Sequence, residues 1–338
     1  MSRKRKKRKN GKGTLIGILA VIAVLLVGIV LVLVMQEKKS STVVRNHNKQ
    51  TADGTDADAT DYSVITYNGE EYTYKKDLKT ILFLGIDKNQ DDVDPEFTGT
   101  AGRSDCMILF LVNTKENTAQ MVSIPRESMT DVEIYSVDGQ YLGMVNEQIT
   151  LQYSYGDGGK RSCWLTKKTL SKMLKDIPID AYMSMELDGI SDITTMLGGV
   201  TLTVPEDYTS VDPSFVQGAT LNLQGDLAEK YVRKRDVTVY ASNEGRMERQ
   251  NQFIRTLVPQ MKAKFSSDIQ SLLDMTKNYL TTDMDVDDMK SLMGCSLTDE
   301  TLTIPGQRIS TGDNTPEEYH LDEDALMQMI VDLCYDKK

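Results

Sequence analysis

The 338-residue sequence contains very little histidine: His47 and His320 are its only two, and neither lies in a motif. Ser-His-Asp and Cys-His mechanisms use histidine as their general base, and many zinc sites depend on histidine nitrogens. The sequence therefore argues against both kinds of catalysis and against a histidine-rich zinc site.

Positive charge is scarce outside the first dozen residues. Residues 1–12 contain eight lysines and arginines and no acid, whereas the remainder has 31 basic against 50 acidic residues, a formal charge of −19. A body this acidic repels the phosphate backbone of nucleic acid. We therefore expect no nucleic-acid partner.

The run from Thr14 to Met35 has no charged residue. About 20 apolar residues at a rise of 1.5 Å span a hydrocarbon core of roughly 30 Å, so we predict a transmembrane helix over residues 14–35. A cleaved signal peptide and a buried helix are the alternatives, but the run exceeds the ~7–15 residues of a signal core. The positive-inside bias predicts a cytoplasmic basic tail at residues 1–13 and an extracytoplasmic C-terminal part, in a single-pass protein of the cell membrane.

Residues 36–75 are predicted to be an extracytoplasmic linker, because their polar first part has little to bury. Within them, Asn68-Gly69 in the segment 66–77 is typical of a hairpin turn or an ordered lead-in. No repeat or Pro/Gly-rich linker interrupts the rest of the chain. Residues 76–338 are therefore expected to form one domain.

Continuous apolar runs at residues 81–84, 107–112 and 121–124 indicate strands covered on both faces. Further strands are expected at 182–186, 200–204 and 300–304, and helices at 162–176, 189–197, 225–234, 245–265, 268–280, 286–294 and 322–335. This mixture predicts an α/β fold, a three-layer α/β/α sandwich with a central mixed sheet. Cys295 and Cys334 bracket the C-terminal segment and are the predicted disulfide pair, whereas Cys106 and Cys163 are interpreted as buried small residues.

Two carboxylates stand at neighbouring strand ends. Asp87 ends the first buried strand, and Arg103-Ser104-Asp105 opens the second. Strands adjacent in sequence are usually neighbours in space, so both acids are expected at one end of the sheet. With phosphate oxygens they would suit Mg²⁺; a strand cap and a surface salt bridge to Arg103 are the alternative.

The helix that begins near Gly245 carries arginines on its apolar stripe. At 100° per residue, Arg246 and Gln250 share that stripe with Phe253 and Leu257, and Arg249 lies at its edge. An inward-facing arginine is costly unless an anion meets it, and a helix N-terminus favours phosphate. Arg233 and Arg235 precede this helix, and Arg126 follows a buried strand, so the pattern favours an arginine-lined, metal-assisted pyrophosphate site.

These residues resemble the LytR-CpsA-Psr phosphotransferases of bacterial cell-wall assembly. The matching segments occur in the family's order over about residues 76–265: ILFLGID (81–87), GRSD (102–105), VSIPRE (122–127), IPIDAYMSMELDG (177–189), LGGVTLTVP (197–205), YVRKR (231–235) and GRMERQ (245–250). The single N-terminal span is also typical of the family.

The resemblance implies an extracytoplasmic enzyme that moves a glycopolymer phosphate from a polyprenyl pyrophosphate carrier to peptidoglycan. It implies Mg²⁺ held by Asp87 and Asp105. It also implies that the pyrophosphate is held by Arg103, Arg126, Arg233, Arg235, Arg246, Arg249 and Gln250. Three positions depart from the family pattern: Cys106 stands where threonine is usual, Glu127 where aspartate is frequent, and Asn243 where the family often has an acid.

Transfer from a pyrophosphate needs charge neutralisation on the transferred phosphoryl group and on the departing phosphate, which fixed arginines and Mg²⁺ supply. A sugar hydroxyl can attack directly, so no covalent protein nucleophile is required. We assign Asp87, Asp105 and Arg126 to the catalytic centre and leave the proton acceptor open. The alternatives are a polyprenyl pyrophosphate pyrophosphatase, a membrane-anchored module that binds lipid-linked glycan without transferring it, and a transcriptional regulator, which the acidic ectodomain disfavours.

Overall fold

The protein is described by a computed structural model that covers residues 63–88, 99–235, 242–265, 278–284, 295–310 and 317–338. No helix within these ranges is long and apolar enough to cross a membrane. The predicted basic tail (1–13) and transmembrane helix (14–35) lie outside the described residues. The whole of the predicted helix 286–294 and residues 268–277 of the predicted helix 268–280 also lie outside them.

The predicted strands at 81–84, 107–112, 121–124, 182–186, 200–204 and 300–304 each fall on an observed strand. The strands are β1 (Val64–Tyr67), β2 (Glu70–Tyr74), β3 (Leu78–Asp87), β4 (Arg103–Asn113), β5 (Thr118–Ser123), β6 (Met129–Tyr135), β7 (Tyr141–Gln148), β8 (Ala181–Glu186), β9 (Val200–Thr203), β10 (Thr220–Leu223), β11 (Leu280–Thr282), β12 (Ser296–Thr303), β13 (Gly306–Ile309), β14 (Glu318–Leu321) and β15 (Tyr335–Lys337). The strands β6, β7, β10, β11, β13, β14 and β15 were not predicted. The helices are α1 (Lys160–Met173), α2 (Gly189–Leu197), α3 (Asp226–Arg233), α4 (Ser242–Phe265) and α5 (Glu323–Cys334), with a 3₁₀ helix at Ile149–Tyr155.

Six strands form the central sheet in the order β11–β8–β3–β4–β5–β12. β3 runs antiparallel to β4 and parallel to β8, and β12 runs parallel to β5, so the sheet is mixed as predicted. Eight of the ten residues of β3 are buried, which is why its apolar run is continuous rather than alternating.

Helices cover both faces of this sheet. On one face, Phe83 and Ile108 pack with residues of α2, α3 and α4; we call it the α4 face. On the other, Leu82 and Leu109 pack with the 3₁₀ helix, α1 and α5; we call it the α1 face. Alternate residues of β3 and β4 therefore contribute to two separate cores.

The predicted Cys295–Cys334 disulfide is wrong. All four cysteines are free and buried. Cys295 belongs to the core on the α4 face and Cys334 to the core on the α1 face, so the central sheet separates them. Burial raises the pKa of the Cys334 thiol to about 12, as expected for an inert core cysteine.

The predicted hairpin at Asn68-Gly69 is confirmed. β1 pairs with β2 across these two residues, both of which have positive φ, as a two-residue hairpin turn requires. β2 also pairs with β15, and the ring of Tyr74 packs edge-on against Tyr335 at 5.3 Å. The folded part thus begins earlier in the chain than the predicted boundary at residue 76.

Candidate active site

The ends of β3 and β4 bring the predicted acids to one end of the sheet. Asp87, the last residue of β3, lies directly opposite Arg103, the first residue of β4. Asp87 is partly exposed, and its Oδ1 accepts a hydrogen bond from Arg233 Nη2 at 2.6 Å. Arg233 also binds Glu229 and Asp188. The side chain of Arg103 is exposed at the same end.

A β-bulge places the second acid. Gly85 lies opposite Cys106 and Ile86 lies opposite Ser104, so Asp105 is an additional residue in β4 with no partner in β3. Such bulges re-aim side chains and are frequent next to active sites.

The bulge moves Asp105 to the α4 face. Strict alternation would put residue 105 on the same face as Met107, which packs in the core of the α1 face. Instead, Asp105 contacts Arg246 of α4, whereas Ser104 exchanges hydrogen bonds with Thr150 of the 3₁₀ helix on the α1 face. One extra residue therefore sets the carboxylate in front of the arginine helix.

Asp105 is held between two arginines. Its Oδ1 accepts from Arg126 Nη1 at 2.5 Å and its Oδ2 from Arg246 Nη1 at 3.0 Å. Burial alone would raise the pKa of Asp105, but the charges and hydrogen bonds of Arg126 and Arg246 outweigh it and leave that pKa lowered. Asp105 is therefore an anion at neutral pH, with both oxygens engaged.

Glu127 connects three elements around this pair. Its Oε1 accepts from Arg126 Nε at 2.9 Å, and its Oε2 accepts from Asn243 Nδ2 at 2.8 Å and pairs with Arg308 Nη1 at 3.3 Å. The same Asn243 accepts two hydrogen bonds from Arg246. The loop after β5, the start of α4 and β13 are thus joined through one buried carboxylate.

Arg308 is a member of the cluster that the sequence did not reveal. Its side chain is only 4% exposed and pairs with Glu127, Glu244 and Glu317. Burial lowers the pKa of Arg308, but these carboxylates more than compensate and raise it. β13 has four residues and no apolar period, so nothing in the pattern distinguishes Arg308 from a surface arginine.

Arg235 lies close enough to Arg126 for their charges to repel. Burial lowers the pKa of Arg235, and the charge of Arg126 lowers it further. Its Nη1 donates to Ser242 Oγ at 3.2 Å, and within the described ranges no carboxylate lies within 4.0 Å of its guanidinium. This part of the site is consequently suited to an incoming anion.

Arg249 and Gln250 have a different environment from the other predicted ligands. Arg249 donates through Nε to the carbonyl of Tyr231 at 2.7 Å and through Nη2 to that of Lys234. Gln250 Nε2 donates to the carbonyl of Val232 at 3.0 Å. Both side chains therefore hold the C-terminal end of α3 against α4, the end from which Arg233 and Arg235 project.

A small apolar cavity of about 30 Å³ lies beside the site, between the sheet and α4. Phe83, Leu187, Phe253 and Cys106 line it, and Gln250 closes its polar end. Burial raises the pKa of the Cys106 thiol to about 12, so this residue packs as an apolar group. The α4 helix and the sheet are thus incompletely packed directly behind the charged cluster.

Asp87 and Asp105 are oxygen donors of the kind that Mg²⁺ prefers, and they stand at adjoining strand ends. Among the residues that the structure describes, no three acids, cysteines or histidines come together as a metal-binding group. A Mg²⁺ ion bound here would need phosphate oxygens to complete its ligands, which is its usual mode of binding in phosphoryl-transfer sites. Each oxygen of Asp105 accepts one arginine hydrogen bond and has a second lone pair left, so the donor set fits a metal that arrives with, or is completed by, its substrate.

Comparisons with known proteins show which family the chain resembles. A family profile described as the LytR_cpsA_psr family matches residues 34–333. The chain is 30% identical to the polyisoprenyl-teichoic acid–peptidoglycan teichoic acid transferase TagU of Halalkalibacterium halodurans over 238 residues, 69% of this chain and 71% of that protein. The crystal structure of TagV from Bacillus subtilis has a TM-score of 0.57 at 25% identity and covers 77% of this chain and 96% of that one. A structure of TagT bound to LI-WTA gives 0.56 at 24% identity, covering 76% and 90%.

Proposed function

Since the chain belongs to the LytR-CpsA-Psr family, we propose that it transfers a teichoic acid-like or capsule-like glycopolymer from a polyprenyl pyrophosphate carrier to peptidoglycan, forming a phosphodiester. One observation carries this proposal: Asp105, Arg126 and Arg246 form a buried ionic centre at the end of two sheet strands, with Arg235 beside it. A buried excess of guanidinium groups around a strand-end acid is an anion site, and a pyrophosphate is the anion that the family's reaction requires.

The arginines bind and polarise the donor. Arg235 and Arg103, whose guanidinium groups have no carboxylate within 4.0 Å among the described residues, are the first candidates to meet the phosphate oxygens. Arg126 is held by Asp105 and Glu127 in one orientation, so it needs little reorganisation as charge develops on the phosphoryl group. Asp105 keeps both buried arginines charged and aligned.

Asp87 and Asp105 would hold Mg²⁺, which when bound would neutralise charge on the phosphate oxygens. The attacking group is a sugar hydroxyl of peptidoglycan. Its oxygen forms a bond to the phosphorus that carries the glycopolymer, and the bond from that phosphorus to the bridging oxygen breaks. Polyprenyl phosphate is the leaving group.

The apolar cavity behind the charged cluster supports a lipid-linked donor. It begins at Gln250 and is otherwise lined by side chains such as Phe83, Leu187 and Phe253. At about 30 Å³ it is far smaller than a polyprenyl chain, so α4 must move away from the sheet when the carrier binds.

The N-terminal sequence supports a single-pass anchor with the catalytic domain outside the cell. The uncharged run 14–35 and the basic residues before it motivate this part of the proposal. Protease added to intact protoplasts should digest the domain and spare the first dozen residues. A protected domain would contradict the topology.

The transfer reaction is tested with a synthetic polyprenyl pyrophosphate glycan and a peptidoglycan acceptor, following transferred glycan and released polyprenyl phosphate separately. Arg235→Ala should lower kcat/KM by ~10²–10³, the usual cost of losing one charge-stabilising donor. Arg161→Ala is the matched control, since that arginine stacks on Tyr135 at 4.8 Å and contacts no member of the site. Release without transfer would identify a pyrophosphatase, and donor binding without either product would identify a binding module.

A further inference from the structure

A second and much larger cavity adjoins the charged cluster. It is a groove of about 730 Å³ between α4 and the strands β12 and β13; we call it the α4–β13 groove. Its walls carry Glu248 and Asn251 from α4 and Asp299, Thr301 and Thr303 from β12. Its volume lies in the range of ligand sites, roughly 300–1,000 Å³.

Polar and apolar groups share the walls of the groove, to which Pro125, Met247 and Tyr319 also contribute. Hydroxyl groups come from Thr301 and Thr303, an amide from Asn251, and carboxylates from Glu248 and Asp299. These hydroxyl, amide and carboxylate groups offer hydrogen-bond donors and acceptors close to one another. This lining matches a ligand covered in hydroxyl and amide groups, and it differs in kind from the apolar cavity behind the site.

The charge of the groove favours an uncharged glycan acceptor over the anionic glycopolymer donor. Three carboxylates line it against the cations Arg255 and Arg308. Arg308 is buried and already paired with carboxylates, so three exposed carboxylates in the groove face one partly exposed guanidinium, that of Arg255. A phosphate-rich glycopolymer would be repelled, whereas an uncharged glycan would not.

The groove leads directly to the ionic centre. Arg308 lies at its inner end and pairs with Glu127, which in turn binds Arg126. Glu244 stands at the same junction, 62% exposed, and accepts from Arg308 Nε at 3.2 Å. A sugar held in the groove would therefore present its terminal hydroxyl next to the arginines that hold the phosphoryl group.

We propose that the α4–β13 groove is the acceptor subsite, that it binds an uncharged stretch of a peptidoglycan glycan strand, and that Glu244 accepts the proton of the attacking hydroxyl. This proposal rests on the transferase function above. Asp105 has both oxygens bound by arginines, and Glu127 is bound by three side chains; Glu244 contacts only Arg308 among the described residues. The proton leaves the hydroxyl for Glu244 as the new phosphorus–oxygen bond forms and the bond to polyprenyl phosphate breaks.

The assignment of the groove to the acceptor is tested by placing a bulky side chain in it. The assay uses the full-length enzyme with soluble uncrosslinked peptidoglycan strands as acceptor. Thr303 is exposed on β12, and Thr303→Trp should raise the acceptor KM by about tenfold or more, a cost of at least ~1.4 kcal/mol in acceptor binding. The donor KM should stay unchanged. Ser296→Trp is the matched control, because Ser296 is exposed on the same strand but outside the groove.

An unchanged acceptor KM in Thr303→Trp would overturn the assignment, as would equal effects of both tryptophans. Asp299→Lys provides an independent readout. If the groove held the anionic donor polymer instead, the added cation would lower the donor KM; under our proposal the donor KM stays the same. Absence of transfer by the wild-type enzyme with full release of polyprenyl phosphate would refute the transferase function itself, a result distinct from either of these.

The role of Glu244 is tested by its pH profile. Glu244→Gln keeps the shape of the side chain and should lower kcat with little change in the acceptor KM, and it should remove the acid limb of the kcat profile. Loss of kcat with an unaltered profile would show that Glu244 only positions Arg308.

Discussion

Asn243 at the start of α4 donates a hydrogen bond to Glu127 in the loop after β5, with Asn243 Nδ2 2.8 Å from Glu127 Oε2. Both side chains are buried. The extra methylene of glutamate extends its carboxylate towards α4, and the amide offers a donor where an acid would offer none. The two side chains thus form one matched donor–acceptor contact.

Replacing this amide by an acid should be harmful. Asn243→Asp removes the donor and places a second carboxylate against Glu127, so we expect a loss of about 1–3 kcal/mol in the free energy of unfolding near neutral pH. Urea unfolding at pH 7 measures it. An Asn243→Asp variant as stable as the wild type would contradict the contact.

Asp105 should control stability in acid. Its pKa is lowered in the folded protein, so its stabilising contribution is complete above its unfolded value of about 3.9 and is lost as the pH falls through the folded value. Asp105→Asn leaves Arg246 buried without its ionic partner and should cost about 3–5 kcal/mol at neutral pH. The difference from wild type should shrink below about pH 4, and unfolding curves at pH 7 and pH 3 would show it. Asp299→Asn, on the surface, serves as the control and should show a small difference at both pH values.

The two arginines on α4 should respond differently to substitution. Arg249 is bound to the carbonyls of Tyr231 and Lys234, so Arg249→Ala should lower stability by about 1–3 kcal/mol through buried carbonyls left without donors. Its effect on donor affinity should be smaller than that of Arg235→Ala. Thermal unfolding and donor titration of both variants separate the roles; an unchanged melting temperature with a large loss of affinity would assign Arg249 to the pyrophosphate instead.

Reducing agents should not affect the protein. Its four thiols are buried and form no disulfide, and burial raises the pKa of Cys106 and Cys163 to about 12. A chromogenic thiol reagent should report no fast-reacting thiol in the native protein and four after unfolding. A fall in melting temperature on adding dithiothreitol would reveal a disulfide.

The sequence predicted the features that follow from the adjacency of strands along the chain and from the periodicity of apolar residues. The continuous apolar runs located β3 and β4, and their adjacency placed Asp87 and Asp105 at one end of the sheet. The shared stripe of Arg246 with Phe253 correctly indicated a buried arginine that needs an anion. Because a stripe does not identify the anion, it could not show that Asp105 already meets Arg246.

The periodicity of the sequence could not predict long-range contacts made by short elements. Arg249 lies near the same stripe as Arg246, yet backbone carbonyls satisfy it, and periodicity cannot distinguish a carbonyl from a phosphate. Arg308 comes from a four-residue strand far along the chain. The spacing of Cys295 and Cys334 says nothing about the sheet that lies between them.

Because of the bulge in β4, the face of the sheet on which Asp105 lies depends on the number of residues in this strand. Side chains alternate along a strand, so deleting one residue between Arg103 and Met107 would restore the regular pleat and send the carboxylate to the wrong side of the sheet, while every residue from Met107 onwards kept its place. Insertions and deletions should therefore be eliminated between Arg103 and Met107, because a change of one residue there moves the carboxylate away from the arginine of α4.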